Sequence, residues 1–366
     1  MFEEKYKNKK VLITGNTGFK GAWLSIWLKH LGADVYGVSN EIPTTPSIFE
    51  VCNLQNEITH FFEDIRNLAA IKQIIENIQP DFIFHLAAQP IVSESYKEPV
   101  DTFTINVIGT TNVLEAVRVL NRPVNLIMIT SDKCYENVEW TWGYRENDRL
   151  GGKDPYSASK GAAELVIYSF YHSFFRSPDS KVKLTSVRAG NVIGGGDWAV
   201  SRIVPDAMRS WSKQERVQIR SPYATRPWQH VLEPLSGYLM AGVKLDDDNN
   251  LSGESFNFGP SSDQNHTVLE LLEKLSEYWF TKDGNSMIDT QESTFHEAGL
   301  LKLNCDKALH ELSWKPTLNF LQTIDFTAKW YIDYYKNNNV NTEYINQQIL
   351  EYTKIAKSKG IKWASM

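Results

Sequence analysis

The chain of 366 residues has little cysteine: Cys52, Cys134 and Cys305, odd in number and far apart. They form no CxxC pair and no metal-ligand spacing, which sets aside disulfide and zinc architectures and predicts a reduced, cytoplasmic setting. No apolar run approaches the ~18–20 residues of a membrane span. The charged start, Met1-Phe-Glu-Glu-Lys-Tyr-Lys, has no apolar stretch behind it of the kind an export signal carries. Positive charge is not in excess either. Lys and Arg number 38 against 44 Asp and Glu, a formal charge of −6, which argues against nucleic acid as a partner. No internal repeat is visible. With 42% hydrophobic and 22% charged residues, what remains is a globular composition with chain enough for about two domains. Eleven tryptophans are the one surplus.

Through the first half, short apolar runs alternate with longer amphipathic ones. Strands are predicted over 11–14, 35–38, 81–86, 124–130 and 182–187, and helices over about 21–31, 68–78, 100–120 and 157–174. Regular strand–helix alternation implies a parallel sheet covered on both faces, an α/β fold of the Rossmann-type, doubly wound kind. After about residue 190 the rhythm breaks into loops, short helices and isolated strands. The boundaries read 1–188 for the sheet domain, with some later segments returning to it, and 189–366 for a smaller mixed α/β domain. The tail over 342–359 reads as one amphipathic helix.

Three motifs carry chemistry. Gly15-Asn-Thr17-Gly18-Phe19-Lys-Gly21 follows the first strand and opens the first helix, where a dinucleotide fingerprint belongs. Gly15 permits the tight turn, Gly18 lets the backbone approach a pyrophosphate, and Gly21 allows close helix–sheet packing. The helix N-terminus adds free N–H groups and a positive dipole end. Tyr156-Ser-Ala-Ser-Lys160 places a phenol and an ammonium on one helix face. A neighbouring Lys⁺ and a positive nicotinamide ring both favour phenolate and are expected to pull the Tyr156 pKa down toward neutrality. Ser131 ends the 124–130 strand, where ligands bind in open α/β sheets. The second strand ends Ser39-Asn-Glu41 with no arginine close behind, which leans toward NAD over NADP.

The GxxGxxG spacing resembles the extended branch of the short-chain dehydrogenase/reductase superfamily, and further segments resemble its nucleotide-sugar 4,6-dehydratases. These are Asp132-Lys-Cys-Tyr-Glu-Asn137, Trp142-Gly-Tyr-Arg-Glu146, Gly190-Asn-Val-Ile-Gly-Gly-Gly-Asp-Trp198 and Arg226-Pro-Trp-Gln-His-Val231, within a likeness running from about residue 8 to 335. The resemblance implies a bound NAD touched by Gly15, Thr17, Gly18, Phe19 and Gly21. It adds Asp64 and Ile65 at the adenine, Leu86, Ala87 and Ala88 along the cofactor, and Asn106 bracing the active-site helix. His85 reads as a core histidine. It further implies a Ser131–Tyr156–Lys160 set that oxidises a sugar hydroxyl. The family's Thr-Asp-Glu tripeptide stands here as Ser131-Asp132-Lys133. Asp132 is then the general acid, and Lys133 either the C5 base or an electrostatic stabiliser of the enolate.

On the substrate side the resemblance implies a nucleotide sugar, CDP-glucose, held by Asn191, Arg202 and Arg226. Arg220 reads either as a further contact or as a solvated loop residue. Trp198 and Trp228 could wall the pocket or lie in the core. The helices near 100–120 and 157–174 resemble a pair that forms a dimer interface, implying a homodimer or homotetramer, although their apolar faces could instead be buried within the chain. Three other readings stay open: a 4-epimerase or 4-reductase of the same superfamily, a dehydratase for another nucleotide, and a non-catalytic NAD(P)-sensing protein.

Overall fold

A computed structural model describes residues 1–219, 221–280, 287–290 and 300–365. Seven strands form one sheet: β1 (Lys10–Thr14), β2 (Asp34–Ser39), β3 (Thr59–Phe62), β4 (Phe82–His85), β5 (Val124–Ile129), β6 (Val182–Ala189) and β7 (Ser255–Phe258). Their order is β7-β6-β5-β4-β1-β2-β3 and every pair is parallel. The order in which strands are added reverses between β1 and β4, where Thr14 stands opposite His85. Such a switch point opens a crevice at the C-terminal strand ends. Every residue of β5 is buried, as a strand covered on both faces requires.

The helices follow local rules. In α1 (Phe19–His30), residues Gly21 to Leu28 are all buried. A helix apolar on every side must be covered all round, and the sheet and the C-terminal α2 (Thr342–Ser358) do this from opposite sides. Trp363 stacks on Phe2 and on Tyr352 and meets Trp27 edge-on, so the tail closes over the first helix. The predicted helix over 68–78 is realised as Leu68–Ile78. Asn67 caps it, accepting from Ala70 N at 3.3 Å, and Ile71, Ile75 and Ile78 form the buried stripe. Each buried isoleucine contributes about 1.5–3 kcal/mol.

Two departures from the sequence-based elements matter for the site. The predicted 100–120 helix begins at Pro99, widens into a π-helical turn over Thr104–Gly109 and resumes over Thr110–Arg118. Edge strand β3 escaped the periodicity because its exposed ends and intermediate centre give no apolar run. In the second half, α3 (Ile203–Ser212) lies beyond the loop at 190–202. The buried α4 (Leu232–Asp247) packs on β5 and β6, and β7 joins the main sheet. Among the described residues no helix is long and apolar enough to cross a membrane.

Candidate active site

The glycine turn lies at the crevice. Gly15 adopts φ +76°, and a side-chain carbon there would stand 2.7 Å from Ala87 N. A side chain at Gly21 would run into the Gly15 carbonyl. Gly18 caps α1 without any side-chain hydrogen bond, leaving the first helical N–H groups open to a ligand. Thr17 Oγ1 donates to Glu41 O at 2.6 Å, and Thr17 N donates to Ser39 Oγ at 3.3 Å, which ties the turn to the end of β2. Asn16 is fully buried there, and its Nδ2 has no partner among the described residues. Bare backbone, open N–H groups and an unsatisfied amide fit a dinucleotide.

The other expected cofactor residues ring this turn. Leu86 N donates to Thr14 O at 3.0 Å and Ala87 N to Thr14 Oγ1 at 3.2 Å, with Ala88 following them off β4. His85 bridges Thr14 Oγ1 at 2.7 Å and Thr110 Oγ1 at 3.1 Å. Burial, then Lys160, pushes it down to about 3, so it is the neutral core histidine expected. Asp64 is engaged by the Arg66 guanidinium at 2.7 Å, which holds its carboxyl below the usual range. Ile65 is buried against Gly109. Asn106, in the π-helical turn, accepts from Gln89 N at 2.8 Å and donates to Ser159 Oγ at 2.9 Å. It thereby ties the strand end after β4 to the helix bearing Tyr156.

That helix, Pro155–Phe170, begins with Asp154 accepting from Ser157 N at 2.9 Å and Pro155 in its first turn. This start sets the phase that buries Tyr156 and Lys160 on one face. Ser131 acts on the Tyr156 phenol in the direction that favours its ionised form. Ser131 Oγ also donates to Asp132 Oδ1 at 2.9 Å and accepts from Lys133 N at 3.2 Å, shaping a tight turn after β5. In the protein by itself the Tyr156 phenol is not depressed. Burial pushes the phenol up to about 12, while Ser131 and Arg202 pull against it. Taking the phenol out of water outweighs its neighbouring charges. Burial likewise pushes Lys160 down to about 8.

Asp132 is buried, and Asn191 Nδ2 donates to its Oδ2 at 3.4 Å. Gly190 is bare because any side chain there would collide with this carboxylate. Asp132, Gly190, Pro227 and Gln229 line one cleft. Lys133 is half-buried, and its ammonium has no partner among the described residues. Arg202 pairs with Asp197 at 2.9 Å and acts electrostatically on Tyr156, so the loop beyond β6 comes close to the helix that bears Tyr156. Arg226 lies on a short antiparallel pair opposite His266 and donates to Thr225 O at 2.9 Å. Arg220 falls outside the described residues. Trp198 is a core residue: its Nε1 donates to Tyr335 Oη at 3.0 Å, and Trp330 and Tyr334 pack on its ring. Trp228 is also buried, donating to His266 O.

Sequence reasoning missed three participants. Glu164, one turn beyond Lys160, forms a buried pair with Arg188 of β6. Lys20, inside the glycine turn, senses Asp132, Lys160 and Arg202. Tyr238 of α4 buries a hydroxyl that senses Asp132 and Tyr156. A lysine within a phosphate-binding turn was the one visible signal; the other two appear only when distant segments meet.

A family model described as GDP-mannose 4,6 dehydratase matches residues 12–327. CDP-glucose 4,6-dehydratase of Salmonella typhimurium is 45% identical over 329 residues, covering 89% of this chain and 91% of that protein. CDP-paratose 2-epimerase of Salmonella typhi is 26% identical, covering 88% and 98%. Among solved structures, dTDP-glucose 4,6-dehydratase from Bacillus anthracis in complex with NAD superposes with a TM-score of 0.73 at 20% identity, covering 88% of this chain and 96% of that one. The epimerase Mth375 from Methanothermobacter thermautotrophicus reaches 0.79 at 22% identity, covering 93% and 97%. With the sheet, the glycine turn and the Ser131–Tyr156–Lys160 cluster in place along the matched length, the chain belongs to the GDP-mannose 4,6 dehydratase family.

Proposed function

We propose that the protein is a hydro-lyase that converts CDP-glucose into CDP-4-keto-6-deoxyglucose with a tightly held NAD. The observation that carries this reading is the joint placement of Ser131, which acts on the Tyr156 phenol, and the cleft-lining Asp132 at the end of β5. A simple oxidoreductase needs the first and has no use for the second. The 45% identity to a CDP-glucose 4,6-dehydratase supports the choice of nucleotide.

Gly15, Thr17, Gly18, Phe19 and Gly21 hold the dinucleotide phosphates, Asp64 and Ile65 face its adenine, and Leu86, Ala87 and Ala88 run beneath it. Held by these residues, NAD would supply a hydride acceptor at sugar C4 and a hydride donor at C6, so that a turnover would be redox-neutral. Ser131 orients the 4-hydroxyl, and Tyr156 accepts its proton. Lys160 supplies the adjacent cation and a donor for the ribose. With a ketone at C4, the C5 proton becomes acidic. Lys133 removes it, and Asp132 gives a proton to O6 as the C6–O6 bond breaks and water leaves. Lys133 then returns a proton to C5. Asn191, Arg202 and Arg226 serve the nucleotide-sugar diphosphate, Arg202 being steadied by Asp197.

The enzyme works in the cytoplasm as a homodimer or homotetramer. Exposed Val100, Ile108, Leu165 and Tyr168 on adjoining helices support an assembly through that face. Incubation with CDP-, dTDP-, UDP- and GDP-glucose, followed by mass analysis, tests the activity. The expected product has lost one water and comes fastest from CDP-glucose. A product of unchanged mass would identify an epimerase and overturn the reading.

A further inference from the structure

Lys20 has no part in the steps above. It lies in the first turn of α1, half-buried, and its ammonium makes no hydrogen bond or ion pair with any described residue. Its Nζ stands 6.0 Å from the ring centre of Tyr238. The Tyr238 side chain is fully buried, and its hydroxyl has no partner among the described residues. The charges acting on Lys20 are those of Arg202, Asp132, Lys160 and Asp197; those acting on the Tyr238 phenol are Asp132 and Tyr156.

One loop explains the convergence. Gly190 packs against the Asp132 carboxylate, and Gly194 faces the ring of Phe19. The Gly195 carbonyl accepts from Trp23 Nε1 at 2.9 Å, and Asp197 holds Arg202 at 2.9 Å. The loop therefore draws the start of α1 and the turn after β5 to one point. A phenol withheld from water without a partner is costly. Beside it, the unpaired Lys20 ammonium is placed for ligand oxygens.

We infer that Lys20 is a positioning residue for the elimination step: it stands beside the C6 hydroxyl and stabilises the Asp132 carboxylate that forms as Asp132 protonates O6. The inference rests on the dehydratase reading. In the step, the C5–H electron pair becomes the C5=C6 double bond, the C6–O6 bond breaks, and O6 departs as water carrying the Asp132 proton. Lys20 keeps its own protons throughout. Burial and Arg202 push it down to about 8, so near neutral pH it still carries the charge the role requires.

The test is Lys20→Met in the NAD-loaded enzyme, mixed rapidly with CDP-glucose. Oxidation at C4 persists, reduced dinucleotide accumulates, and turnover falls about 10²-fold, the scale of assisted proton transfer. Lys20→Arg, which keeps the charge, recovers most of the loss. With CDP-6-deoxy-6-fluoroglucose, whose fluoride leaves without a proton, Lys20→Met matches the wild type. Equal slowing on both substrates, loss of bound NAD, or unimpaired turnover of CDP-glucose would each overturn the inference. Should Lys20→Met not fold, Lys20→Gln serves in the same comparison. If the wild type itself makes no 4-keto-6-deoxy product, the dehydratase reading is what fails.

Discussion

Glu164 and Arg188 meet at 2.8 Å with each side chain only 3% exposed. Glu164 also accepts from Thr130 Oγ1 and from Ser186 Oγ, and Arg188 donates to Tyr135 Oη at 2.6 Å. The pair thus clamps the Tyr156 helix, the end of β5 and β6 together behind the catalytic turn. Burial opposes the charge on both groups, yet their mutual attraction holds Glu164 below and Arg188 above their usual ranges.

Breaking that clamp has a specific consequence. Glu164→Gln leaves Arg188 buried and unpaired, which costs about 3–5 kcal/mol. Replacing both partners by apolar residues, as in Glu164→Leu with Arg188→Met, costs less than either single change. Urea denaturation of the three variants measures this. Equal stability of Glu164→Gln and the wild type would refute it.

Gly21→Ala should separate folding from cofactor retention. The added methyl forces the Gly15 carbonyl aside and distorts the phosphate-binding turn. Dinucleotide affinity falls at least about tenfold, or 1.4 kcal/mol. Chromatography of nucleotide released from the purified protein gives the comparison with the wild type, which should come out nearly saturated.

Glu233 gives stability a pH dependence of known sign. It accepts from Thr317 N, Leu318 N and Tyr352 Oη, but burial still pushes its carboxyl up from 4.5 to about 7. The folded state therefore disfavours its charge. That cost is absent below the unfolded pKa, grows as pH rises between the two values, and is complete above about 7, on the order of 3 kcal/mol. Thermal melts of the wild type and Glu233→Gln between about pH 5 and pH 8 report the difference. The wild type should gain relative to the variant on the acid side, and parallel curves would refute the assignment.

Leu165 is 59% exposed and Tyr168 62%, one turn apart on the helix that bears Tyr156. Leu165→Glu should leave the fold intact and shift the assembly toward monomer, since a charge at the centre of an apolar contact must lose its water to stay there. Sedimentation velocity at several concentrations checks this. An unchanged sedimentation coefficient would exclude that face.

Much of the site was legible before any fold was known. The glycine turn and the Tyr156/Lys160 spacing are local, and local geometry follows from residue order alone. Ser131 could be placed because ligands collect at strand ends in parallel sheets. Trp198 was ambiguous for the opposite reason: its neighbours Trp330 and Tyr334 lie far along the chain.

By itself, then, the sequence determined most of the strands and helices of the first half, the dinucleotide turn and the phase of the helix that bears Tyr156, since each depends on contacts between near neighbours. Tertiary structure decided the rest. It set Asn106 against Ser159, closed Glu164 on Arg188, brought Lys20 and Tyr238 to Asp132, and raised the Tyr156 phenol instead of lowering it. Burial and charge act through space, so their balance exists only once segments far apart in the chain have packed around the same few atoms.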